Sequence, residues 1–201
     1  MTRKKRWVPL SIGLGLMLLV SGLAWLLRNG GALSGNSLCS GDKAKAEVTA
    51  EQREGDYVQR LTSKKAVYPA GTEPHVRAEL CYAGKGKVAI THVESPFLFF
   101  EREISHENPY GKVVDQPGFF TDLASGESYR ETYRKDAVPI DLLQLEGTVA
   151  PSSSDLDFYK SFYAARAFPA GTYEIKVQAD FGVKDSAERH RFSVPLTVEF
   201  R

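Results

Sequence analysis

Two short phrases, "YPAGT" at Tyr68–Thr72 and "FPAGT" at Phe168–Thr172, decide how this chain is divided. Each precedes a run that alternates apolar and polar residues, "VRAEL" at Val76–Leu80 and "VQADF" at Val177–Phe181. In both, proline fixes φ and glycine supplies a permissive bend, the chemistry of a turn that launches a strand. Only residues 173–201 follow the second phrase, which leaves room for two strands and a hairpin but not for a second sheet domain. The spacing between phrase and strand also differs by one residue between "TEPHVRAEL" and "TYEIKVQADF", which argues against a structural repeat. The chain reads as one domain that uses the same turn twice.

Working outward, period-two alternation recurs with Gly and Pro as punctuation, the mark of an antiparallel sheet protein. Val76, Ala78, Leu80 and Tyr82 alternate with Arg77, Glu79 and Cys81. "KVAITHVE" follows the "AGKGK" turn with Val88, Ile90 and His92 on one side, and Pro96 breaks the chain before "FLFFEREI". "PFLFF" at Pro96–Phe100 is apolar on both faces and is expected to be covered on both. "ENPYG" at Glu107–Gly111 is a turn. Gly126 marks another turn, with Tyr129 and Tyr133 bracketing a strand. The last run, "RFSVPLTVEF", puts Phe192, Val194, Leu196, Val198 and Phe200 on one face, while Pro195 on the other implies an edge or a bulge. One helical segment interrupts this pattern. "SSDLDFYKSFYAARA" opens with N-capping residues and predicts a short helix or ordered loop within a long connection.

The first residues differ in kind. From Trp7 to Leu27 no charge occurs, long enough to span a bilayer core of about 30 Å. Arg3, Lys4, Lys5 and Arg6 precede this run and only Arg28 follows closely, so the positive-inside rule places the N-terminus in the cytoplasm and the rest outside. A cleaved signal peptide ending at "ALS", Ala32–Ser34, is the rival reading, set against a longer apolar run than such peptides carry. The expected organisation is a basic cytoplasmic tail at 1–6, a transmembrane anchor at 7–27, a Gly/Ser-rich stalk at 28–41 and one β-sandwich domain at 42–201. Under either reading that domain is exported, and the location expected is the cell membrane, single-pass.

Composition narrows the function classes. The chain has 201 residues, 42% hydrophobic, with a formal net charge of +1. That balance is globular and offers no electrostatic case for nucleic acid. Its two cysteines, Cys39 and Cys81, lie in the exported part and read as a disulfide. Cys81 is out of phase with Val76, Ala78 and Leu80, so it is expected to face away from the core and stay reachable.

"AGTYEIKVQA" resembles the penultimate strand of immunoglobulin-like domains, in which a tyrosine near the strand start bonds back to the preceding corner. Tyr173 holds that place, without the cysteine and tryptophan of antibody domains. "LASGESY" is similar to a turn common in bacterial extracytoplasmic sandwiches. Together the phrases resemble the BsuPI-type proteinase-inhibitor family over the last third of the chain. The resemblance implies an all-β, immunoglobulin-like antiparallel sandwich. It also implies that the Tyr173 hydroxyl anchors the corner, with Tyr68 tolerating loss of its hydroxyl better.

Chemistry is sparse. His75, His92, His106 and His190 show no zinc spacing, and both methionines, Met1 and Met17, fall outside the exported part, which disfavours a copper site. Ser128 lacks the final glycine of a nucleophile elbow, and Asp155 and Asp157 suit a helix start better than a calcium loop. No cofactor, metal or catalytic residue is assigned. Phe158, Tyr159, Phe162 and Tyr163 mix aromatics with Lys160 and Arg166 and are the candidate interaction surface, with core filling as the competing use. The function expected is a membrane-anchored, extracytoplasmic, non-catalytic protein-binding or assembly module with an envelope partner. The alternative is a proteinase inhibitor presenting a loop from within Asp136–Ala167.

Overall fold

The computed structural model describes Cys39 and residues 48–109, 118–135 and 152–201. They form β1 (Val48–Glu54), β2 (Tyr57–Ser63), β3 (Val67–Tyr68), β4 (Val76–Tyr82), β5 (Lys87–His92), β6 (Phe97–Glu103), β7 (Phe119–Ala124), β8 (Ser128–Thr132), α1 (Ser153–Ala164), β9 (Gly171–Val183) and β10 (Arg189–Phe200). Residues 37–201 make one compact unit. The expected tail and anchor, the stalk apart from Cys39, and the end of the "ENPYG" turn lie outside the described residues. No described helix is long and apolar enough to cross a membrane.

Two sheets result. One has the order β1-β2-β4-β8 and the larger has β3-β10-β9-β5-β7, with β6 also on β9. Every pairing is antiparallel except β3 with β10. β5 and β6 share one edge of β9, separated at the break that Pro96 causes. Leu61, Ala78 and Leu80 from the smaller sheet meet Ile90, Leu123, Ile175, Val177 and Val194 from the larger in one apolar core. Each such Val, Leu or Ile side chain, fully buried, contributes roughly 1.5–3 kcal/mol. Phe97 and Phe99 enter this core, while Leu98 and Phe100 are half-buried on the outer face.

Pro195 sits where its missing N–H costs nothing. In β10 the amides of Ser193 and Glu199 point away from β9, to Gln52 Oε1 and to the Ala66 carbonyl. Position 195 shares that phase, so no ladder bond to β9 is lost.

The two repeated phrases touch each other. Thr72 and Phe168 form an antiparallel bridge, in which Gly71 N donates to Phe168 O at 2.8 Å and Phe168 N to Thr72 O at 3.1 Å. Gly71 takes φ +80°, a conformation that disfavours any side chain. Both phrases therefore lie in one sheet unit and meet at the same end of the sandwich, but they are not one turn used twice: Gly71 sits in a turn at φ +80°, whereas Gly171, at φ +154°, already opens β9.

That end also inverts the expectation for the tyrosines. Tyr68 Oη accepts from the amides of Lys65 (3.2 Å) and His75 (3.1 Å) and shares a hydrogen bond with Ser63 Oγ (2.8 Å), which donates on to the Lys65 carbonyl (2.7 Å). The Tyr173 hydroxyl is fully buried and has no hydrogen-bond partner among the described residues. Its ring packs between Phe162, Phe168 and Phe200, and burial, with the negative charge of Glu103, pushes the phenol's pKa up. The corner bond therefore belongs to Tyr68. Tyr68→Phe should cost about 1–3 kcal/mol by stranding two amides, whereas Tyr173→Phe should be neutral or slightly stabilising. Urea midpoints of the two variants measure this, and a larger loss at Tyr173 would contradict it.

α1 explains the aromatic cluster. Ser152 is its N-cap, accepting from Asp155 N at 3.1 Å. At the other end, Lys135 Nζ donates to the carbonyls of Phe162 and Ala165 (2.8 Å), groups a helix C-terminus leaves unpaired, and to that of Ala167 (3.2 Å) just beyond it. Burial presses the Lys135 pKa down to about 8 against the opposing charges of Glu101 and Glu73. The helix also closes the free edge of β6. Tyr159 Oη accepts from Glu103 N (2.9 Å), and Asn108 Nδ2 links Glu101 O (2.7 Å) to Tyr163 Oη (3.0 Å). Tyr159, Phe162 and Tyr163 are consequently core residues, and only Phe158 is half-exposed. The interaction surface expected from these four residues is corrected to a packed cap, because the apolar area they carry is buried against the end of the sheets. Of the span expected to present an inhibitory loop, residues 136–151 lie outside the described residues.

Candidate functional site

The most densely connected polar group lies on the outer face of the smaller sheet, and strand register assembles it. Glu51 faces Arg60, Arg60 faces Glu79, and Glu79 faces Arg130 across β1, β2, β4 and β8. Alternating charges thus form one continuous row. Arg60 donates to Glu51 Oε2 (2.7 and 3.0 Å), to Glu79 Oε2 (2.9 Å) and to the Cys39 carbonyl (2.9 Å). Arg130 donates twice to Glu79 Oε1, at 2.8 and 3.0 Å. Although outward-facing, Arg60 is 4% exposed and Glu79 5%. Burial alone would raise the Glu79 pKa, but the Ser128 hydroxyl, Arg130 and Arg60 outweigh it and hold the carboxyl below its usual range. All four side chains of this row are bonded to one another inside the domain, so it acts as a clamp.

The Cys39–Cys81 disulfide sits beside this row, with a Cα–Cα distance of 5.8 Å. Both cysteines and Val58 form a small apolar cluster separate from the main core, flanked by Ala83. The outward phase expected of Cys81 is therefore found. Its accessibility is not, since Cys81 is 1% exposed beneath Cys39 and Val58.

The histidines are dispersed. His92 bonds to Val93 O and to Thr121 Oγ1 (2.8 Å), His190 to Glu54 (3.1 Å), and His75 is exposed. His106 Nδ1 lies 2.9 Å from Asp155 Oδ1 and its ring stacks on Phe158 at 4.1 Å. Ser152 Oγ donates to Asp155 (2.6 Å), not to His106, so these three make a helix cap and no nucleophile–base pair. Hydrogen bonds from Ser152 and His106 keep the Asp155 pKa low. Among the described residues no group of His, Cys, Asp and Glu is arranged to hold a metal ion.

Two surface features remain. A shallow polar depression of roughly 290 Å³ is lined by Phe100, Arg102, Glu107, Asn108, Glu174 and Lys176 on the larger sheet. There Arg102 already lies 3.7 Å from Glu107 and 4.0 Å from Glu174. The other is the edge strand β7. Phe119 is 57% exposed and Phe120 62%, the two most exposed large apolar side chains among the described residues. Thr121 and Leu123 anchor the strand, through His92 and in the core respectively. The Lys184 ammonium stands 5.4 Å from the Phe120 ring centroid. Phe119 and Phe120 point to opposite faces of the strand, and exposed aromatics flanking on both faces a sheet edge unpaired among the described residues make this the candidate binding site. The charge row becomes visible only once the register pairs its four residues. The "FF" doublet at Phe119–Phe120 was a readable signal, flanked by Gly118 and without the periodicity of a buried strand.

No family model matches this chain, and no curated protein is significantly similar to it.

Proposed function

We propose that this chain is a membrane-anchored, immunoglobulin-like module that binds a protein partner on the outer side of a cytoplasmic membrane and carries out no catalysis. The strand order supports the immunoglobulin-like reading. Taking β2, β4 and β8 as A, B and E, and β5–β6, β9 and β10 as C, F and G, gives the two-sheet division of that fold, with β1 added beside A and β7 beside C. The basic cluster before the apolar run at 7–27 supports the topology, and the disulfide suits an oxidising compartment.

The observation that carries the binding reading is the Phe119–Phe120 pair, because domains rarely leave such area in water without a partner. A photocrosslinking residue placed at Phe119 in the full-length chain, in its own membrane, should give one dominant adduct. The same residue at the exposed Thr197 on β10 should give none. Adducts at Thr197 but not at Phe119 would move the binding face elsewhere. A reporter fused after Arg201 that works only outside the cytoplasm should be active, and activity of a cytoplasm-only reporter there would reject the topology.

A further inference from the structure

The edges of the larger sheet are treated unequally. On β6, the outward groups of Glu101 and Glu103 are taken by Asn108 and Tyr159. Along β10, the outward amides of Ser193 and Glu199 go to Gln52 and Ala66, and Pro195 between them has none to offer. β7 differs. Ser125 N donates to Gly86 O, and with the register Lys87↔Ala124 this fixes which residues pair inward: Phe119, Thr121 and Leu123. The main-chain groups of Phe120, Asp122 and Ala124 therefore face the free edge. The Ala124 amide is capped by Glu127 Oε2 at 2.8 Å, which ends the row. Phe120 and Asp122 are left with N–H and C=O groups turned outward. β7 has none of the usual edge defences, no proline, lysine or bulge, only one charge, Asp122. Asp122 is exposed and has no ion-pair partner among the described residues.

Resting on the reading of β7 as the binding edge, we propose that the partner adds an extended strand antiparallel to β7. That strand carries a basic residue opposite Asp122 and, two positions later, an apolar residue opposite Phe120. The free donors and acceptors of Phe120 and Asp122 call for main chain as the occupant. The side chains on the outer face set the specificity. Directly opposed residues in an antiparallel pair lie about 4.5–5.5 Å apart, so an ammonium or guanidinium pairs with the Asp122 carboxylate and an apolar side chain packs on the Phe120 ring. Lys184 already occupies the opposite flank of that ring, which disfavours a second cation there.

The test uses the full chain in lipid nanodiscs and a synthetic peptide, acetyl-Thr-Lys-Thr-Val-Thr-Ile-amide, against the same peptide with Glu in place of Lys. At saturating Lys peptide, hydrogen exchange in the segment containing Phe120 and Asp122 should slow at least tenfold, and the Glu peptide should bind at least tenfold more weakly. Asp122→Lys should reverse the preference, and Asp122→Asn should erase it. Asp122→Pro removes an outward N–H at an edge position without touching the β5 ladder, so it should abolish protection by either peptide. Equal binding of both peptides, or binding without protection of β7, overturns the proposal. So does a Phe119 crosslink in the membrane that persists in Asp122→Pro, which would keep the binding edge but reject strand addition. Loss of that crosslink in the unmodified chain is instead the failure of the binding-edge reading itself.

Discussion

Arg60→Met should destabilise the domain by about 3–5 kcal/mol, the usual cost of breaking a buried charge network from one side. Arg60 is the centre of the row: it holds Glu51, Glu79 and the Cys39 carbonyl at once. Without it, Glu79 stays buried with Arg130 alone and the Cys39 carbonyl loses its donor. The double variant Arg60→Met/Glu79→Met should recover much of the loss, because an apolar pair leaves no charge to compensate. The pH dependence follows from the same residue. The folded-state pKa of Glu79 lies below its ordinary value of 4.5, so its contribution to stability is complete above that value and is lost as pH falls through the folded pKa. Removing Arg60 raises the folded pKa and flattens that acid decline. Urea midpoints at pH 7 and pH 4 for the parent and both variants measure these effects. A double variant no more stable than Arg60→Met would show that the arginine matters through something other than charge.

Cys39→Ala/Cys81→Ala should be nearly as damaging. The bond closes a loop with a sequence separation of 42, for which chain entropy gives roughly 4 kcal/mol. In a domain of this size that corresponds to a fall in Tm on the order of 10 °C. Loss of the bond also frees the Cys39 carbonyl from Arg60, so the effects of the cysteine pair and of Arg60→Met should not add. Calorimetry on the four proteins of the double-mutant cycle tests this coupling. Strict additivity would mean that strap and charge row are energetically independent. In the unfolded, unreduced parent, thiol titration should find no free thiol.

The strands with clean alternation were legible in the sequence: β4, β9 and β10 fall where the apolar phase puts them, and Pro96 and Gly126 break the chain as turn chemistry dictates. The hairpin of β1 and β2 was not. "YVQRLTS" places Gln59 and Ser63 on the core face and Arg60 on the outer one, and all three are buried, so no two-period survives. The fate of the aromatic helix was also ambiguous. Spacing placed α1 correctly, but interface and core use the same residue types, and only the position of α1 over the end of the sheets separates them. The tyrosine corner failed for a similar reason. Two copies of one phrase look equivalent in sequence, yet only the first tyrosine comes within reach of two unpaired amides. The charge row depends on partners from four strands, three of them separated by turns or long connections, and pairing of that kind is not encoded locally.

The position of the disulfide carries a mechanical consequence. In an anchored chain, tension along the tether arrives at Cys39 and leaves through sulfur into Cys81, so residues 40–80 lie outside the load path. The β1–β2 hairpin, which a pull on the N-terminal end would otherwise unzip one bond at a time, is bypassed. Force enters instead at β4, which is paired on both sides by β2 and β8 and must be sheared as a whole. If a partner holds β7, load crosses from one sheet to the other where β4 and β7 touch.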